Sequence, residues 1–280
     1  MLLFKIIPSK ILRRIFLRRH LSQLLSLEEI YRNKNYTFTL PDGSKFIYPL
    51  HSTVGRSLFL GEFELSEIEF IRKILKPGDT FLDIGANGGL YSIIAAKIVG
   101  HQGHVYACEP GKKELDLLKQ NITINGINNI TIIESAISNK KGSDLLAVSV
   151  DGALNSLKET NHPDQNIESW QTVEINTVDN LVQELNIPKI NVMKVDVEGA
   201  EKLVFEGASN FLKSNSNVTI VFESSELNSN DFGYKPEELI SNLQSKGFKL
   251  KYISRIGFIK NISTKNMRIH KNIYNFIAQK

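Results

Sequence analysis

Phe81-Leu82-Asp83-Ile84-Gly85-Ala86-Asn87-Gly88-Gly89 is the stretch on which the reading of this chain turns. It follows Thr80 in an apolar run and leads into a second run from Leu90 to Val99. The apolar Phe81, Leu82 and Ile84 predict a strand at 80–84 that is buried on both faces, as in a parallel sheet. The run 90–99 predicts a helix. Gly85 permits a tight turn and a close approach to the backbone, and Gly88 and Gly89 extend that freedom to the helix start. The first N–H groups of such a helix have no partner within it and carry a partial positive charge, which suits a carboxylate or phosphate.

Working outward, residues 104–108 form a second apolar run that ends at Glu109. An acid about 20 residues beyond a glycine loop is placed to accept both hydroxyls of a ribose. That spacing fits NAD and S-adenosylmethionine alike. The loop lacks the Gly-x-Gly-x-x-Gly arrangement of a dinucleotide site. Farther on, helix 114–124 with Asn125-Gly126 as its cap, strand 130–134, strand 191–196, helix 200–212, strand 218–223, helix 236–246 and strand 248–254 continue the alternation. Strands alternating with helices predict a doubly wound, mostly parallel α/β sheet with helices on both faces.

Upstream, residues 36–50 alternate around Pro41-Asp42-Gly43, which predicts a β-hairpin turning at Asp-Gly. Residues 65–75 carry apolar side chains at helical spacing and stop at Lys76-Pro77-Gly78. The stretch 135–189 exceeds an ordinary crossover and holds an alternating segment at 172–178 and the single tryptophan, Trp170. It is expected to shape a substrate pocket. The organisation read from this is an N-terminal extension over residues 1–60 and one catalytic domain over 61–280.

Composition narrows the class. The chain has 280 residues with 41% hydrophobic and 23% charged, which needs no disulfide staples to build a core. The lone Cys108 cannot form an internal disulfide and excludes a Cys-Cys zinc site, so a cytoplasmic location is expected. Residues 1–27 hold six basic residues and no acid, leaving 28 of the 34 basic residues against all 30 acids. A near-neutral body argues against a nucleic-acid partner. On a helical wheel Ile11, Leu12, Ile15 and Phe16 share one side while Lys10, Arg13, Arg14 and Arg18 share the other. Residues 1–27 therefore suit either a peripheral contact with an anionic membrane surface or packing of the apolar side on the body. Basic residues interrupt every apolar run there, which excludes a spanning helix in that segment.

Three segments resemble the FkbM family of methyltransferases: Pro77-Gly78-Asp79 with the Phe81–Gly89 loop, Asn176-Thr177-Val178-Asp179-Asn180-Leu181, and Lys194-Val195-Asp196-Val197-Glu198-Gly199-Ala200-Glu201. Val178 stands where the family usually has leucine. Asp83-x-Gly85-x-x-x-Gly89 is similar to the loop motif of class I methyltransferases. The resemblance covers residues 60–225, more loosely toward 280. It implies a Rossmann-like fold with a seven-stranded sheet, S-adenosylmethionine as cofactor and, most often, O-methylation of a sugar, glycan or small metabolite. It further implies cofactor contacts from Asp83, Gly85, Asn87, Gly88, Glu109 and Pro110, with Glu134, Ser135 and Ala136 toward the adenine.

The chemistry falls to the end of the fourth strand. A carboxylate there can accept the proton of an acceptor hydroxyl, with Asp196 the first candidate base and Glu198 the second. Asp196 and Glu223 would lie on adjacent strand ends, where an Mg2+ is conceivable, although hard cations usually ask for more oxygen ligands than these. Glu64 stands where many members place an acid before the first strand. Glu198-Gly199-Ala200 also suits a helix start, Glu201 a first-turn charge, Cys108 the core, and His162 a solvated loop. The competing functions are N-methyl transfer or aminopropyl transfer on the same fold, and a non-catalytic S-adenosylmethionine-binding or membrane-associated protein. The absence of Asn-Pro-Pro-Tyr-like and Pro-Cys motifs disfavours methylation of nucleobases.

Overall fold

The computed structural model describes residues 35–61, 64–215, 217–253, 258–262 and 274–280. The basic segment 1–27 lies outside them. The described residues form two compact units, one of residues 35–61 and one from Glu64 onward. In the first, β1 (Asn35–Thr39) and β2 (Lys45–Pro49) pair antiparallel, and α1 (Thr53–Leu60) follows. The turn joining the strands sits at the predicted Asp-Gly pair: the Gly43 N–H donates to the Leu40 carbonyl, and Gly43 takes a φ of 79°.

The second unit opens with α2 (Leu65–Ile74), then β3 (Thr80–Ile84), α3 (Leu90–Val99), β4 (His104–Cys108), α4 (Lys112–Asn125) and β5 (Ile130–Ile133). The long excursion folds as β6 (Ala136–Ile137), β7 (Gly142–Ser149) and β8 (Ile167–Asn176). These make a separate small sheet in the order β6-β8-β7. After it come α5 (Val178–Glu184), β9 (Val192–Val195), α6 (Glu201–Glu206), α7 (Ser209–Ser214) and β10 (Thr219–Ser224). The chain continues through α8 (Glu226–Asp231), α9 (Pro236–Ser245), β11 (Lys249–Ile253), β12 (Ile259–Asn261) and β13 (Tyr274–Gln279).

The main sheet runs β12-β11-β13-β10-β9-β3-β4-β5, eight strands among the described residues where seven were expected. The strands that no predicted run covers are the three-residue β12 and β13. The block from β10 to β5 is parallel. β13 runs antiparallel between β10 and β11. One face of the sheet presents Leu82, Ile84, Met193, Val195, Ile220 and Phe222 to a core shared with α5, α6, α7 and α9. On the other face Ala107 packs with Leu118 of α4, and Ser92 of α3 bonds Asp83. The doubly wound, mostly parallel, Rossmann-like reading holds. Among the described residues no helix is long and apolar enough to cross a membrane.

Two elements differ from their predicted form. The helix expected over 200–212 is broken into α6 and α7 at Gly207-Ala208. A Cβ on Gly207 would lie 2.0 Å from the Ser138 carbonyl oxygen, so the excursion presses directly on the backbone there. The Gly207 carbonyl accepts from the Asp179 N–H, which takes it out of the helical ladder. The Asp179 carboxylate then caps α7, accepting from the N–H groups of Asn210 (2.9 Å) and Phe211 (2.7 Å). The alternating segment 172–178 is the end of β8, which stops at Asn176. Thr177 is the N-cap of α5, its hydroxyl accepting from the Asn180 N–H at 3.0 Å.

Candidate active site

The carboxyl ends of β3, β4, β9 and β10 carry nearly all the predicted site residues, in two groups. The first surrounds the loop after β3. Gly85 has a φ of 81°, and a Cβ there would lie 1.8 Å from the Asp196 carbonyl oxygen. The glycine is thus required by the end of β9 as well as by the turn, and it places Asp196 directly against the loop. Asn87, with φ 50°, and Gly89, with φ 85°, take the left-handed conformations, whereas Gly88 does not. The Gly88 carbonyl accepts from the amide of the buried Asn121 at 2.8 Å.

Glu109 is held by the chain itself. Its Oε2 accepts from the Asn87 N–H and its Oε1 from the Gly111 N–H, both at 2.8 Å. Burial, then the nearby Glu114, push its pKa up to about 8 against the pull of those two N–H groups. The Pro110 carbonyl accepts from the Gln171 amide at 3.2 Å. Ser135 is buried, its hydroxyl without a partner among the described residues, and Ala136 begins β6, opposite Ile175 of β8. Glu134 instead reaches out to Lys119 at 2.6 Å and remains exposed. Asp83 is fully buried: its Oδ2 accepts from Ser92 at 2.6 Å, while Oδ1 has no partner among the described residues. Two buried oxygens without partners beside a glycine loop and a ribose-type acid are what a polar nucleoside ligand would satisfy.

The second group centres on Lys194, which the residue-level reading did not single out. Its buried ammonium lies 2.8 Å from Asp196 Oδ2 and 4.5 Å from the centre of the Tyr91 ring. Burial opposes that charge most strongly, yet Asp196, Asp83 and Glu64 hold its pKa above the usual lysine range. Its signal in the sequence was a lysine inside the apolar run Val192-Met193-Lys194-Val195, since a buried lysine requires acidic partners. Glu64 is hydrogen-bonded by the Tyr91 hydroxyl, and burial lifts its pKa to about 7.

Val195 and Phe222 are register partners, so Asp196 and Glu223 follow on adjacent strands. Carboxylate oxygens of Glu64, Asp196 and Glu223 lie within 4.8 Å of one another. Lys194 faces Asp196 and Glu64 of that group with its positive charge. Burial, then Asp196, raise the pKa of both Glu198 and Glu223 well above the carboxylate norm.

Glu198 has a φ of 51° and accepts from the Asn228 amide at 2.8 Å. Gly199, φ 105°, makes room for Asn228, whose carbonyl would lie 2.8 Å from an added Cβ. Glu201 starts α6: its Oε1 accepts from the Gly199 N–H at 3.1 Å, and its Oε2 from the Tyr234 hydroxyl at 3.0 Å. Its role is the first-turn carboxylate that was expected. Cys108 is in the core, and His162 lies in a loop where its Nδ1 accepts from the Asp164 N–H.

A family model, the methyltransferase FkbM domain, matches residues 83–250. The hexuronic acid methyltransferase AglP of Haloferax volcanii is 28% identical over 151 residues, 53% of this chain and 59% of that protein. A ribosomal protein L11 methyltransferase of Caldanaerobacter subterraneus is 29% identical over 68 residues, 24% of this chain and 21% of its own length. Among solved structures, a precorrin-6y C5,15-methyltransferase from Geobacter metallireducens superposes with a TM-score of 0.46 and 13% identity, covering 78% of this chain and 88% of that one. A SAM-dependent O-methyltransferase from Thermotoga maritima gives 0.43 and 15%, covering 90% and 81%. The matched regions span less than two thirds of the length of these curated relatives.

Proposed function

The chain belongs to the FkbM methyltransferase family, and from that premise we propose that it transfers a methyl group from S-adenosylmethionine to a hydroxyl of a sugar, glycan or small metabolite. One observation carries the reading. The Asp196 carbonyl packs on the alpha carbon of Gly85, so the carboxylates at the end of β9 adjoin the glycine loop. The name of the Haloferax volcanii relative, a hexuronic acid methyltransferase, favours a sugar acceptor.

In this reading Asp83, Gly85, Asn87, Gly88, Glu109, Pro110, Ser135 and Ala136 hold the cofactor. Glu109 receives the ribose hydroxyls on the lone pairs left by its two backbone N–H bonds. When bound, S-adenosylmethionine supplies a methyl group on a positively charged sulfur, which leaves as a neutral thioether. The chain positions the acceptor and removes its proton. Asp196 Oδ1 has no hydrogen-bond partner among the described residues, and it takes the hydroxyl proton as the oxygen–carbon bond forms. Lys194 holds the other oxygen and so fixes the carboxylate in place. Glu198, tied to Asn228, orients the acceptor.

The test is incubation with methyl-labelled S-adenosylmethionine and uronic-acid glycans, free sugars and metabolite fractions. Label should enter a base-stable ether on one fraction. Label recovered only on amines would overturn the hydroxyl assignment.

A further inference from the structure

The excursion between β6 and α5 was expected to shape the acceptor pocket, yet one of its turns is fastened to the other half of the site. Residues 152–154 form a short 3-10 turn. The Asn87 amide donates to the Gly152 carbonyl at 3.2 Å, and the Asn155 amide donates to Glu114 Oε2 at 2.9 Å. Glu114, in the first turn of α4, is buried. A Cβ on Gly152 would lie 1.8 Å from Glu114 Oε1, and one on Gly111 would lie 2.3 Å from Oε2. Two glycines from different segments are thus shaped around one carboxylate. Gly111 is also the residue whose N–H holds Glu109. Asn155 Oδ1 accepts from the Ser149 N–H at 2.8 Å, which ties the turn back to β7.

We infer that Glu114 and Asn155 are positioning residues of the cofactor pocket, clamping the 152–155 turn beside Glu109 so that the turn walls in the ribose. This rests on the assignment of Glu109 to the cofactor. Farther along the excursion Asn161 is bonded to Asp231, its N–H donating to the carboxylate at 2.6 Å and its side-chain amide to the other oxygen.

Charge supplies a readout that a packing role would not move. Glu109 is faced by Glu114 and Asp83, and Glu114 by Lys113 and Asp151. A ribose hydroxyl donates to the ionised carboxylate, so ligand affinity in the native protein rises with pH through about 8. Removing the Glu114 charge lowers the pKa of Glu109 and moves that rise to lower pH.

The experiment is calorimetric titration of S-adenosylhomocysteine into the full chain between pH 6 and 9. Asn155→Ala should weaken binding about tenfold. The nearly isosteric Glu114→Gln should shift the midpoint of the affinity rise to lower pH, and Asn161→Ala should bind as the native chain does. Native affinity in Asn155→Ala, or an unmoved midpoint in Glu114→Gln, overturns the inference while leaving the function standing. Equal weakening by Asn161→Ala overturns it too, because the turn would then have no special part. Absence of binding by the native chain overturns the cofactor assignment itself.

Discussion

The two halves of the site hold their acids in different ways. Around the loop after β3, Glu109 is gripped on both oxygens by main-chain N–H groups, and Glu114 is bonded by an asparagine and enclosed by glycines. In the other half, Asp196, Asp83 and Glu64 act on the buried Lys194 ammonium, and Glu223 adds a further carboxylate beside Asp196 and Glu64. Main-chain donors fix where a carboxylate sits whatever the neighbouring groups do. A shared cation leaves several acids competing for one charge, so a proton taken by one changes the others. The first arrangement suits holding a ligand, and the second suits moving a proton.

The sharpest way to break this contrast is Asp196→Ala. It should cut methyl transfer about 10²- to 10⁴-fold while S-adenosylhomocysteine still binds with native affinity. Loss of binding and turnover together would mean that the halves are not separable. Next is Lys194→Met, which leaves its acidic neighbours without their cation. It should cost about 3 kcal/mol in urea unfolding, and a loss below 1 kcal/mol would show that the acids need no counter-charge.

Acidity itself gives the third test. Glu64 and Glu201 titrate near 7 and Glu109 near 8 in the folded chain, above the ordinary 4.5. Raised carboxyl pKa values stabilise the fold below their unfolded values and lose that contribution as pH rises through the folded ones. The melting temperature of the ligand-free protein should therefore fall between pH 5 and pH 8.5, and more steeply in Lys194→Met. A rising melting temperature over that window would contradict the burial of these groups. Gly199→Ala, at φ 105° and against the Asn228 carbonyl, should destabilise by about 2 kcal/mol and disturb acceptor use before cofactor binding. The smallest effect lies outside both halves: Asp179→Ala removes the cap of α7 and should cost about 1 kcal/mol in thermal or urea unfolding.

What the sequence made legible was set by neighbours along the chain. The strands Thr80–Ile84 and His104–Cys108 and the helix Leu90–Val99 fall on their expected residues, because apolar runs and glycine punctuation are local signals. The break at Gly207 is imposed by the Ser138 carbonyl, nearly seventy residues away, and no local pattern announces it. β13 was missed because no glycine or proline marks its limits, the chain running from Thr264 to Lys280 without either. In the site, the Asp83, Glu109 and Asp196 positions were readable from motif spacing. Glu114 and Asn155 were not, because their meaning lies in a carboxylate meeting Gly152 across the fold. Lys194 was visible in principle as the one charge in an apolar strand.

The antiparallel strand β13 lies between β10 and β11, although β11 is made before it. As the chain is synthesised, the parallel block from β5 to β10 can assemble in order, but β10 must keep one edge open until residues 274–279 arrive. During that interval β10 and β11 each present unpaired main-chain groups, and the apolar Ile220–Phe222 segment is the most exposed to mispairing. Yield in the cell should thus depend on how quickly the insertion of β13 follows the formation of β10 and β11.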